Sequence, residues 1–289
     1  MFDTFKNRLE ITGTLTTITA LRISAGRSTE PIGTDSPVIK DALGQPLIPG
    51  SSFKGALRSR LESFLRGIDS SFAEDPADFT TSDRNKYVKD LKDTYKDNDL
   101  ELTEKLLDMT DLISLLFGSP WIASKFQVRD LTVVPKTWFD QYQERDGVAI
   151  DRDTETAADG KLYDFQVVPA STQFQFHAII ENAEDWELGL LMIGLHQFET
   201  EQIPLGGGRS RGLGVVRLNI DKMWWLDVNN KPEKLLTYLQ ELVSSKIGDK
   251  LDIYEDAKDF DFKDVWTKAL IKHLREKISN HPPRTEVPG

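Results

Sequence analysis

The stretch Gln173 to Ile180, QFQFHAII, most limits what this chain can become. Phe174, Phe176, Ala178 and Ile180 share one parity, with Gln173, Gln175 and His177 between them. A period of two is that of a strand buried on one face. Such a strand rules out an all-helical bundle and needs both sheet partners and a layer that covers its phenylalanines.

Partners are legible elsewhere. Arg8 to Ile23, RLEITGTLTTITALRI, alternates through Leu9, Ile11 and Leu15, and its parity changes near Ala20, which predicts a bulge or a second short strand. Lys125 to Pro135 turns Phe126, Val128 and Leu131 inward, and Val215 to Ile220 reads as a fourth strand. Two helical patterns are interleaved with them. Phe53, Leu57, Leu61, Phe64 and Leu65 follow a Gly/Pro turn, with Ser51 or Ser52 as cap. Glu184 to Phe198 carries Trp186, Leu190 and Ile193 on one stripe and two carboxylates at its start. The core order is then β-α-β-β-α-β, an α+β fold with a ferredoxin-like (RRM-type) sheet and its helices on one face.

The remaining segments read as additions to that core. Residues 69–112 hold thirteen Asp+Glu against six Lys+Arg and no glycine, the composition of an acidic helical insertion. Residues 136–169 suggest a projecting arm hairpin whose tip, TETAADG, contains Asp-Gly. We expect residues 1–220 to form one domain that includes both additions. Residues 221–289, with helical patterns at Pro232 to Ser245 and Phe262 to Ile278, form a C-terminal helical extension.

Cysteine is absent, which excludes disulfides, a thiolate nucleophile and Cys-ligated metal, and fits a reducing compartment. No apolar run approaches a membrane span and the N-terminus lacks a signal pattern, so a cytoplasmic protein without membrane contact is expected. The net charge of −11 opposes indiscriminate binding to polyanions. Residues 1–68 are the exception, with nine Lys+Arg against six Asp+Glu.

Three features carry chemistry. Asp35 lies in a loop, GTDSP, where a carboxylate either ends a turn or serves a reaction. GGGRSRGLG matches neither a dinucleotide fingerprint nor a P-loop; it is either a flexible turn or an anion site, with backbone N–H groups beside Arg209, Ser210 and Arg211. The helix after Ser51 presents Lys54, Arg58 and Arg66, a solvated face or a phosphate-binding one, and Arg58 with Glu62 forms an i,i+4 pair. The four histidines show no ligand spacing. Trp224 and Trp225 read as packing residues, and Phe174 and Phe176 as core in preference to a base-stacking platform.

Taken in order, TDSPVIKD, IPGSSFKGALRSRLE, LFGSPW, KFQVRDLTV and PLGGGRSRGLGVV resemble the RAMP superfamily. Within it they are most similar to the repeating backbone subunit of type III CRISPR effector complexes. The resemblance implies a subunit that assembles along a guide RNA beside neighbouring RAMP subunits and other effector subunits, with an arm between guide and target RNA. It implies that Asp35 is the catalytic residue for target RNA cleavage, supported by a divalent cation, Mg²⁺. It places guide RNA against Ser51, Ser52, Lys54, Arg58, Gly206, Gly207, Gly208, Arg209, Ser210 and Arg211, and assigns no metal ligand set. A non-catalytic structural subunit, or a ribonuclease that processes the guide precursor, stays open on the residues alone.

Overall fold

The computed structural model describes residues 4–26, 36–150, 157–244, 250–258 and 260–280. In chain order, β1 (Asn7–Thr17) leads through β2 (Leu47–Ile48) into α1 (Gly50–Ile68). Helices α2 (Ser82–Thr94) and α3 (Asp99–Asp108) precede the short α4 (Leu112–Phe117). Strands β3 (Phe126–Val128), β4 (Leu131–Thr132), β5 (Gln143–Ile150), β6 (Ala157–Val167) and β7 (Gln173–Glu181) follow. Next come α5 (Asp185–Glu199), β8 (Val216–Asp227), α6 (Pro232–Ser244), β9 (Glu255–Asp256) and α7 (Phe260–Asn280).

The main sheet is antiparallel and runs β3-β7-β1-β8-β9. Its register explains why alternation in three separate segments yields one core. Leu9, Ile11 and Leu15 of β1 sit opposite Ile180, Ala178 and Phe174 on one side and Trp225, Met223 and Leu218 on the other. Each row of inward side chains therefore continues across three strands. Phe53 of α1 lies 5.0 Å from the ring of Phe176 and stacks at 4.4 Å on Phe198 of α5, so both helices cover the same sheet face. Burial of each such ring stabilises by about 2 kcal/mol. α7 packs outside α5, adding Trp266, Leu270 and Leu274 to the same cluster. At the sheet edge, Lys125 Nζ donates to both carboxylate oxygens of buried Glu187, which ties β3 to α5.

Several local features differ from expectation. The bulge falls at Thr12/Gly13 against β8, and not near Ala20; β1 ends at Thr17. That bulge leaves Asp221 without a partner residue on β1, so Asp221 and Lys222 both face solvent and Met223 returns inward. β8 consequently continues through 220 to Asp227, where the alternation alone suggested an end at Ile220. The start of α1 has no side-chain cap from Ser51 or Ser52; Pro49 occupies the cap position and Asp130 Oδ1 accepts the Gly50 N–H at 2.8 Å. Segment 125–135 divides, with β3 in the main sheet and β4 pairing with β2.

Segment 136–169 contributes the two-stranded antiparallel pair β5–β6, and the Asp159-Gly160 expected at a tip lies within β6. Residues 151–156 lie outside the described residues. Among the described residues no helix is long and apolar enough to cross a membrane.

Candidate functional site

A short segment after β1 organises the site. Leu21 exchanges two backbone hydrogen bonds with Val168, just beyond β6. Ile23 O accepts from Ile39 N, and Ala25 N donates to Pro37 O. On the other side, Ala20 O accepts from Gly214 N and Arg22 O accepts from Gly207 N. The glycine-rich loop and the 36–39 segment, far apart in sequence, are thus fastened to the same six residues.

Glycine is required at that junction. Gly206 has φ +72° and approaches so closely that a Cβ would meet Arg22 O at 2.1 Å. Beyond it, Arg209, Ser210 and Arg211 form one exposed helical turn between Gly208 and Gly212, both left-handed. Arg209 Nε donates to Gly206 O, and Arg211 donates from its guanidinium to the Tyr163 hydroxyl at 3.0 Å.

Tyr163 belongs to β6 and lies across Gly147 of β5, where any side chain would collide with the ring. Two residues on, Phe165 packs with Ala20, Val167 and Leu213, and the Arg22 guanidinium sits 4.3 Å from its ring centroid. Ser36 is bridged to Phe165, and its carbonyl accepts from Gln166 N at 3.1 Å. Among the described residues, Arg22, Arg209 and Arg211 make no ion pair. The surface is cationic and rich in N–H donors, which suits phosphate oxygens.

The basic face of α1 is arranged differently. Lys54 Nζ donates to Ser124 Oγ at 2.6 Å and to Phe126 O at 3.1 Å. Burial, with Arg58 adding repulsion, brings its ammonium down to about 8. Arg58 donates to Glu62, to the Gly118 carbonyl and to Ser114 Oγ, so its guanidinium joins α1 to α4. Arg60 reaches Gln197, and Arg66 reaches the carbonyls of Ala73 and Glu74. Ser51 is exposed and Ser52 half-buried at the start of the helix.

Asp35 lies outside the described residues, and Ser36 is where the description resumes. Among the described residues no group of three His, Asp or Glu is placed to hold a metal ion. His177 sits beside Glu10 on the open sheet face and holds its carboxyl below the usual range. His273 stacks on Trp186, and His281 is outside the described residues. Phe174 and Phe176 are buried, and Trp225 packs edge-on against Trp266. Arg22, Tyr163, Phe165 and Gly147 escaped the sequence reading. The one signal was the shared parity of Tyr163, Phe165 and Val167 in YDFQV.

The sequence was compared with known proteins. It is 26% identical over 219 residues to the CRISPR system Cms endoribonuclease Csm3 of Enterococcus italicus, covering 75% of this chain and 92% of that protein. It is 29% identical over 233 residues to the protein of the same name from Methanocaldococcus jannaschii, covering 76% and 82%. Against that of Mycobacterium tuberculosis it is 50% identical over 56 residues, 19% of this chain and 24% of that protein. Residues 14–217, from within β1 to the second residue of β8, match the RAMP superfamily, and with most of its length in that match this chain belongs to the RAMP superfamily.

Proposed function

We propose that this chain is a guide-RNA-binding backbone subunit of a type III CRISPR effector complex and that it cleaves target RNA with Asp35. The observation that carries the reading is the meeting of two segments at the foot of β6. The arginines of the glycine-rich loop and the segment that follows Asp35 are held within one small network of backbone bonds and aromatic contacts. A strand of RNA bound by its phosphates to Arg209, Arg211 and the neighbouring N–H groups would therefore run close to Ser36, the residue that follows Asp35 in the chain. The relatives' name, endoribonuclease, agrees with this reading.

The strand order β3-β7-β1-β8, crossed by α1 and α5, supports a ferredoxin-like, RRM-type core. The β5–β6 pair supports the arm that would separate guide from target. In the reaction, the 2′-hydroxyl of the target attacks its adjacent phosphate. Asp35 takes the proton, and the departing 5′-oxygen is protonated from solvent, leaving a cyclic phosphate. A divalent cation, Mg²⁺ in this reading, would be held jointly by Asp35 and phosphate oxygens, since Mg²⁺ is commonly bound through one or two carboxylates plus substrate phosphates. It would neutralise phosphate charge.

The test uses the assembled complex with its guide. Asp35→Ala should retain guide RNA and lose target cutting at the sites this subunit serves. Cutting at the wild-type rate at every site would sink the catalytic assignment.

A further inference from the structure

Just before β5 lies a second surface that the proposed function does not use. Trp138 and Phe139 stack at 5.5 Å with an interplanar angle of 26°, and Tyr142 packs against Trp138 at 5.0 Å. Trp138 and Tyr142 rest on the main core, while Phe139 stands 59% exposed. The group is held firmly. The Tyr142 hydroxyl donates to Gly44 O at 2.6 Å, and Lys40 Nζ lies 4.3 Å from the centre of its ring.

The turn that presents the two stacked rings is strained, because Lys136 and Asp140 both adopt positive φ, +67° and +56°. Left-handed backbone outside glycine is costly and persists where surrounding structure requires it. Burial, and then the charges of Asp41 and Asp140, push the Tyr142 hydroxyl up to about 12. These carboxylates offset Lys40 and Lys136, so the surface offers little to a phosphate and a broad apolar ring face to a base.

Short chain and backbone-pairing links join the surface to the proposed RNA site. Lys40 is four residues from Ser36, at most about 14 Å of extended chain. Tyr142 directly precedes Gln143, which pairs with Val167 next to the Leu21–Val168 bridge. We infer that Phe139, backed by Trp138, is a stacking platform for an unpaired base of the RNA whose phosphates the glycine-rich loop holds. This rests on the RNA-binding reading above and adds to it a contact that recognises a base and not the backbone. A base stacked on an aromatic ring contributes about 1–3 kcal/mol and is indifferent to charge screening.

The full chain is titrated with single-stranded RNA carrying 2-aminopurine, over a range of salt concentrations. Phe139→Ala should weaken binding about tenfold, leave the slope of affinity against salt unchanged and abolish 2-aminopurine quenching. Phe139→Trp should restore both. Because Phe139 is mostly exposed, urea unfolding of each variant should match the wild type. If Phe139→Ala binds and quenches like wild type while Arg211→Ala binds weakly, the platform is refuted and the RNA reading stands. If the wild type binds no RNA, both fall. A change in self-association with unaltered RNA binding would make the surface a protein interface and overturn the proposal.

Discussion

The basic face of α1 and the glycine-rich loop carry the same kinds of side chain and put them to different uses. Along α1, Lys54, Arg58, Arg60 and Arg66 each find acceptors within the protein, on Ser124, Gly118, Gln197 and Ala73 among others. In the loop, Arg209 and Arg211 stand exposed and donate one side-chain hydrogen bond each, to Gly206 O and to the Tyr163 hydroxyl. Helix cations of this kind lower the cost of burying carbonyls and of Glu62, which is 5% exposed. Loop cations keep most of their donors available. Counting positive charge along the sequence treats the two as equivalent, and burial separates them.

The comparison breaks most readily at Arg58. Arg58→Ala would remove three hydrogen bonds and leave buried Glu62 with Arg66 alone, at 3.3 Å. Loss of a buried partner of this kind costs about 3 kcal/mol, read as a lower urea midpoint at unchanged slope, with RNA affinity per folded molecule unchanged. A tenfold loss of RNA affinity at wild-type stability would instead return α1 to the RNA surface.

The loop should behave in the opposite way. Arg211→Ala should lower RNA affinity about tenfold and flatten the salt dependence by about one phosphate contact, with the urea midpoint held. An unchanged salt slope would mean that Arg211 does not meet a phosphate.

The smallest effect concerns Lys54. Its folded value lies near 8, below the ordinary 10.5. From about 8 to 10.5 the unfolded chain therefore binds more protons than the folded one, and stability rises with pH across that window. Below 8 both forms are charged and the cost of burying the ammonium is fully present. Measured as the difference in Tm between wild type and Lys54→Met, wild type should gain on the variant as pH is raised from 8 to 10.5. A flat difference would place the ammonium in solvent.

Much of the fold was legible because it rests on period. Phe174 with Phe176, Leu9 with Ile11, and Phe53 with Leu57 each declared a buried face, and all six are buried. What failed were features set by a distant segment. The cap of α1 comes from Asp130, eighty residues away, where two serines stood at hand. The bulge at Asp221 of β8 is visible only in that strand's pairing with β1, and β8 runs on past it to Asp227. In the site, the glycine-rich loop announced itself by composition, whereas Arg22 and Tyr163 are unremarkable in sequence and matter through what they touch.

The sequence by itself determined most element types, the inward faces and the two loops proposed to bear chemistry, because periodicity, glycine density and local turn composition act over a few residues. Only the tertiary structure decided that Lys54 and Arg58 turn inward while Arg211 stays exposed, and that Ser36, Phe165, Arg22 and Gly207 meet. Those outcomes depend on which carbonyls and rings the folded chain brings within hydrogen-bonding or van der Waals reach, and no local pattern encodes a partner more than a hundred residues away.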